Sequence, residues 1–139
     1  MRYLLDTNVV IDILRNDRVV EKRYRLETLK RSNIFICPIV YYEIVRGFRI
    51  VSASKRLKDF LNLSKEWEML LFDMQATEKA IDIYEKVHKQ VIEDNDIYIA
   101  AISMVNDCRL VTSNVRHFSR VEGLKFVNWR NFYGLDYTV

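Results

Sequence analysis

Short apolar runs alternate with longer segments of helical period along almost the whole chain. Tyr3-Leu4-Leu5 is the first run; it stops at Asp6 and gives way to a helical stripe of Val9, Val10, Ile13 and Leu14, with Asp12 and Arg15 on the other side. Thr7 or Asn8 is the expected N-cap. Asn16-Asp17 breaks this helix, and a second, from about Asp17 to Arg31, is rich in Arg and Lys with Glu21 and Glu27 interleaved, which predicts a solvated face. Ile34-Phe35-Ile36-Cys37 is continuous and apolar, as in a strand buried on both faces. Pro38 suits the start of the next helix, because its missing N–H costs nothing there. That helix, about Ile39 to Val51, is largely apolar yet carries Glu43, which shares a face with Val40 and Gly47.

Ser52 to Trp67 predicts an amphipathic helix or a broken pair, and Glu68 to Phe72 a third strand with Asp73 after it. Gln75 to Gln90 has good helical period, with Ala80, Ile81, Tyr84, Val87 and Val91 inward and Glu78, Lys79, Asp82, Lys86 and Lys89 outward. His88 flanks that stripe without a partner at ligand spacing and reads as structural. Glu93-Asp94-Asn95-Asp96 then opens a nearly all-apolar helix, which is therefore interior. Asp96, Ala100 and Ser103 give it one face of small residues. Arg109-Leu110-Val111 is a strand followed by the polar turn Thr112-Ser113-Asn114, an echo of Leu4-Leu5-Asp6-Thr7-Asn8. A short turn with Arg116, His117, Phe118 and Arg120, a last strand at Leu124 to Val127 and an aromatic tail complete the chain. Strands alternating with helices predict an α/β fold of three layers, α/β/α, with a mainly parallel central sheet.

Composition narrows the class. The 139 residues make one domain, 1–139, and three Gly and one Pro leave little material for linkers. No run approaches the roughly 18 apolar residues of a membrane span. The start enters a strand directly, so no signal peptide is expected and the cytoplasm is the expected compartment. Cys37 and Cys108 lie far apart without metal-ligand spacing and read as buried thiols. A net charge of +3 permits a polyanionic partner without arguing for one.

The chemistry lies in acids at the element junctions: Asp6, Glu43 and Asp94 or Asp96, with Asn114 at a fourth point. In open α/β sheets, sites are built at the carboxyl edge of the strands. Acids there are also ordinary turn and cap residues. If they converge, two carboxylates about 4 Å apart repel by roughly 4 kcal/mol at an effective dielectric of 20. That is a heavy burden for a domain stable by only about 5–15 kcal/mol. Protons or a divalent cation must relieve it, and an all-oxygen set without His or Cys suits Mg²⁺ or Mn²⁺.

Leu4-Leu5-Asp6-Thr7-Asn8, Ile36 through Ile44 with Arg46-Gly47, Asn95 through Ala101, Leu110 through Asn114, and Gly123 to Trp129 together resemble the PIN domain, and within it the VapC-type toxin ribonucleases. The resemblance spans about Arg2 to Trp129. It implies a Mg²⁺-dependent endoribonuclease, with Mn²⁺ as a substitute, whose RNA targets are often transfer or ribosomal RNA. It also implies a homodimer silenced by a cognate antitoxin that covers the active site. Carried over by position, Asp6, Glu43 and Asp96 match the acidic metal residues, and Asn114 falls where Asp or Asn is found. Thr7, Asn8 and Thr112 match supporting polar residues. Asp94 departs from the pattern, either adding charge or capping the helix; Cys37 and Val40 replace common Ser and Thr.

The mechanism this implies has a metal held by Asp6 and Asp96, with Glu43 a ligand or an orienter of the attacking water. Arg15, Arg46 and Arg116, each close in sequence to a site element, are the candidate RNA phosphate contacts. A degenerate PIN domain that only binds RNA or protein is the alternative. A haloacid-dehalogenase-like phosphatase fits less well, because Asn8 stands where its second Asp belongs.

Overall fold

The computed structural model of the chain describes residues 1–131 and the strand at 136–138. Five short strands run parallel: β1 (Arg2–Leu5), β2 (Asn33–Ile36), β3 (Glu68–Met69), β4 (Arg109–Val111) and β5 (Lys125–Val127). Their spatial order is β3-β2-β1-β4-β5, and β6 (Asp136–Thr138) closes one edge antiparallel to β5. The rest of the aromatic tail lies outside the described residues. Seven described helices flank the sheet: α1 (Thr7–Leu14), α2 (Arg18–Leu29), α3 (Pro38–Ile50), α4 (Ser54–Ser64), α5 (Met74–Val87), α6 (Asp94–Val105) and α7 (Val115–Phe118). The three-layer α/β fold is the one the alternation predicts.

β1 is the organising strand. Leu4 and Leu5 are fully buried and pair with Leu110 and Val111 of β4, while Leu4 also pairs with Phe35 of β2. From β1 the chain builds outward on one side through β2 and β3, then crosses to the other through β4 and β5. The topological switch point therefore lies between β1 and β4, where such sheets open a crevice at their carboxyl ends.

Several local expectations change. Asp6, not Thr7 or Asn8, is the N-cap of α1, its carboxylate accepting the Thr7 N–H at 2.8 Å. Strand β3 ends at Met69, although Leu70 N–H still reaches the Ile36 carbonyl at 2.8 Å. On α5 the buried stripe is Ala76, Ala80, Ile83 and Val87, a 4-3-4 spacing, while Ile81, Tyr84 and Val91 are exposed. Glu27 is not solvated. It is buried and holds Arg23 and Ser32, each at 2.9 Å. Burial raises its pKa, yet those hydrogen bonds and the Arg23 charge outweigh burial and leave it lowered.

Asp12 is the larger surprise, because it points inward and is only 6% exposed. The guanidinium of Arg130 grips both its oxygens, Nε to Oδ2 at 2.6 Å and Nη2 to Oδ1 at 2.9 Å. This fork ties α1 to the chain beyond β5, next to fully buried Trp129, whose ring meets Tyr3 edge-on at 5.4 Å. Bidentate pairs are strong in isolation, but the Arg130 side chain is half-exposed and solvent screens it. Arg130→Ala is expected to lower stability by about 1–3 kcal/mol, because it leaves a buried carboxylate with no partner. A urea unfolding midpoint equal to that of the wild type would show the pair to be energetically neutral.

Candidate active site

The carboxyl edge of β1 and β4 gathers most of the acids that the sequence singles out. Asp6 follows β1 directly and is 4% exposed. One oxygen accepts from Thr7 N–H; the other accepts from the Thr112 hydroxyl at 2.7 Å and from Asn8 Nδ2 at 3.2 Å. Its own N–H donates to the Val111 carbonyl at 2.9 Å, which locks the end of β1 to β4. Asn8 Oδ1 accepts the Ser113 N–H at 3.1 Å, so the β4 turn is tied back to α1.

Pro38 starts α3 with Cys37 at the N-cap position, and the helix carries half-buried Glu43 to the same edge. There Glu43 Oε1 accepts the Thr7 hydroxyl at 3.3 Å. Asp96 sits in the first turn of α6, a nearly all-apolar helix that buries Ile97 and then Ile99 through Ser103. Asn114 N–H donates to Thr112 Oγ1 at 3.0 Å, its side-chain Nδ2 lies 2.8 Å from His117 Nδ1, and that nitrogen lies 3.3 Å from Asp96 Oδ2. One polar arc thus links all three acids: Glu43, Thr7, Asp6, Thr112, Asn114, His117, Asp96.

Electrostatics reports the same convergence. Burial pushes the Asp6 pKa up to about 6 against the hydrogen bonds from Thr112 and Thr7, with the charges of Asp96 and Glu43 adding to the rise. Glu43 is raised by burial first and then by Asp96 and Glu93, while Thr7 and Arg46 oppose the rise. Asp96 is raised by burial and by Glu93 despite His117. Burial, with smaller contributions from Asp6 and Glu43, lifts the Cys37 thiol to about 11, so it stays a neutral, buried filler beside the acids.

The structure does not bring every candidate to this edge. Asp94 is exposed and lines a separate groove with Phe72, Tyr84 and Tyr98; its neighbour Glu93 is the extra acid whose charge reaches Glu43 and Asp96. A helix turns by 100° per residue, so adjacent acids cannot face the same way. Arg15 caps the far end of α1, roughly 13 to 14 Å along the axis from Asp6. Arg116 is exposed on α7 beside His117. Arg46 lies one turn beyond Glu43, its guanidinium 4.9 Å from the Tyr42 ring centroid.

His117 is the residue that sequence reading placed only in a turn, and it corrects the expectation of a site without imidazole. Its signal was its position three residues after Asn114, one helical turn, beside the echo of the Asp6 motif.

Buried Asp6 with half-buried Glu43 and Asp96, the last raising the pKa of the other two, is a donor set suited to a hard divalent cation, and these are the residues that would hold it. Among the described residues, no three His, Cys, Asp or Glu side chains already converge on one point. The fold and edge define an α/β protein whose polar machinery sits at a topological switch point.

Residues 3–124 match the PIN domain family, and the chain belongs to that family. Ribonuclease VapC1 of Methanocaldococcus jannaschii is 33% identical over 129 residues, covering 89% of this chain and 85% of that protein. Ribonuclease VapC2 of Haemophilus influenzae is 31% identical over 142 residues, covering 93% and 98% respectively. In the crystal structure of VapBC2 from Rickettsia felis bound to a promoter DNA fragment, one chain shares the fold with a TM-score of 0.82. It is 24% identical and covers 93% of this chain and 99% of its own.

The raised pKa of Asp6 has a testable sign. Its folded value, about 6, exceeds the unfolded value near 3.8, so the folded state holds this proton more tightly. The stability it contributes is therefore present below about pH 4 and lost as pH rises through about 6, by about 3 kcal/mol in all. Metal-free Asp6→Asn should keep the capping oxygen, melt at or above the wild-type temperature at pH 7, and lose this slope between pH 4 and 6. A clear destabilisation of Asp6→Asn in EDTA at pH 7 would make Asp6 a structural cap alone.

Proposed function

We propose that the chain is a divalent-metal-dependent endoribonuclease and the toxin half of a toxin–antitoxin pair. The observation that carries this reading is the polar arc holding Asp6, Glu43 and Asp96 at one edge of a PIN domain fold. Relatives about a third identical over nearly the whole chain are named as VapC ribonucleases, and the solved structures that share the fold include VapBC complexes. An RNA substrate and an antitoxin partner follow as parts of this proposal from those names, and a homodimer is proposed with them from the family resemblance.

A bound Mg²⁺ or Mn²⁺ would neutralise the acids, lower the pKa of water and offset charge on a phosphodiester. The chain's own residues do the rest. Thr112 and the Thr7 N–H fix Asp6 in one orientation, so its charge faces a constant direction. The Thr7 hydroxyl holds Glu43, whose raised pKa suits a group that accepts a proton from attacking water. His117, whose ring also meets the Asn114 amide, contacts Asp96 from the opposite side.

Beside Glu43, the outer side of α3 offers a surface for the RNA strand. Tyr41, Tyr42, Val45, Arg46, Arg49 and Ile50 line an open groove of about 510 Å³. Exposed Tyr41 and Tyr42, followed one and two turns on by Arg46 and Arg49, would give base-stacking faces and phosphate contacts on one helix, the combination used in single-strand binding. Arg46 serves this role better than Arg15, because it also reaches Glu43 electrostatically.

Incubation with total RNA and Mg²⁺ tests the activity. The wild type should cut, while EDTA or Asp6→Asn should lower the rate by about a hundredfold or more. Cutting that needs no metal, or that the mutant matches, would sink the mechanism and favour a binding module. For the groove, Arg46→Ala should weaken binding of single-stranded RNA and reduce the salt slope by about one. An unchanged slope would remove Arg46 from the phosphate contacts.

A further inference from the structure

We infer that the RNA path does not end on α3 but continues onto α4, where Lys58 and Lys65 hold phosphates of the strand beyond the groove. This rests on the ribonuclease reading above and adds a second surface for its substrate. Between Ile44 and Lys65 the chain carries six Lys or Arg and a single acid, Asp59. That surplus of positive charge exceeds the +3 of the whole chain, so the remainder is net acidic and the α3–α4 pair is where a polyanion is drawn.

The charges are also available. Asp59 is engaged by Lys55 at 3.4 Å. Arg49, Arg56, Lys58 and Lys65 are exposed, and among the described residues none of them forms an ion pair. Helix α2 is similarly rich in bases, yet there Glu27 and Glu21 pair with Arg23 and Arg25. The α2 face is therefore largely neutralised, and the α3–α4 face is not.

Geometry joins this charge to the groove beside Glu43. The rings of Tyr41 and Phe60 meet with centroids 5.7 Å apart, which fastens α4 to the tyrosine end of that groove. Asp59 and Leu63 line a different groove, shared with Ile13, Leu14 and Tyr24 of α1 and α2. Lys58, Leu61 and Lys65 follow one another at i, i+3 and i+7, so they share the flank of α4 turned away from it. The two lysines stand about 10 Å apart along the helix axis. At about 3.4 Å per phosphate, that length takes roughly three phosphates of one strand. Lysine contacts of this kind add affinity and fix the strand's position, and leave sequence choice to the groove and the acids.

Fluorescence anisotropy of labelled RNA in EDTA reads binding apart from cutting. The double variant Lys58→Ala, Lys65→Ala should weaken binding of an RNA of about twelve nucleotides by about tenfold and lower the salt slope by about 1.4. Binding of an RNA of about three nucleotides, enough for the α3 groove alone, should change by less than about twofold. In the wild type, the long RNA should shield both lysines from an amine-reactive label, a readout that needs no variant to fold. An unchanged slope, an equal loss on both lengths, or lysines left unshielded would overturn the α4 assignment while metal-dependent cutting still stood. Equal shielding by polyglutamate would make this a face for an acidic protein and overturn it as well. Lysine-dependent binding of the long RNA without any cutting would support the surface and sink the ribonuclease reading instead.

Discussion

The structure turns on the burial of one carboxylate at the junction of β1 and α1. Asp6 sits where two parallel strands end together, almost out of reach of water, and within the field of two further acids. Water would stabilise that charge far better than protein does. The fold meets the cost with donors brought from distant parts of the chain: a backbone N–H one residue on, a threonine hydroxyl from the end of β4 and an asparagine amide from the first turn of α1. Each donor is in turn fixed by a neighbour. Thr112 accepts from Asn114, and Asn8 accepts from Ser113. The β1–β4 pairing, the start of α1 and the turn after β4 are therefore one mechanical unit, and the position of every other site group follows from it.

Seen this way, cap and ligand are not competing descriptions of Asp6. The cap uses oxygen lone pairs, which an amide oxygen can also provide; the metal reading uses the negative charge, which it cannot. The raised pKa measures the difference between those two demands. A residue chosen only to cap α1 would sit better as a neutral group, and a residue chosen only for charge would sit better in water. Holding an ionised acid here costs stability in the metal-free state, and that cost is typical of functional sites.

Much of this was legible because it depends on local pattern. Apolar runs stopping at polar turns marked β1, β2, β4 and β5, and Pro38 marked the start of α3. Acids at those turns pointed to the edge of the sheet before any contact was known. Most of what escaped depends on partners far away in sequence; Glu27 is the exception, with partners only four and five residues away. Asp12 looked solvated because Arg130, its partner, lies 118 residues on. Glu27 looked like one member of a surface charge ladder, yet Ser32 and Arg23 enclose it. On α5 the apolar residues outnumber the buried positions, so periodicity could not decide which stripe faces inward; α6 packing against it decides. His117 escaped for the same reason, since its meaning comes from Asp96 on another helix.

The same logic explains why the site is distributed over five segments rather than one motif. An acid cluster encoded in a single loop would repel itself in the unfolded chain and in every partly folded form. Spreading Asp6, Glu43 and Asp96 over β1, α3 and α6 delays the repulsion until the sheet has assembled, when β1–β2 and β1–β4 pairing and the buried face of α6 can oppose it. The linking arc of Thr7, Thr112, Asn114 and His117 forms at that same moment, because each of its members also comes from those junctions. Assembly of the hydrophobic core and assembly of the charged edge are thus a single event, and the core supplies the free energy that the edge consumes.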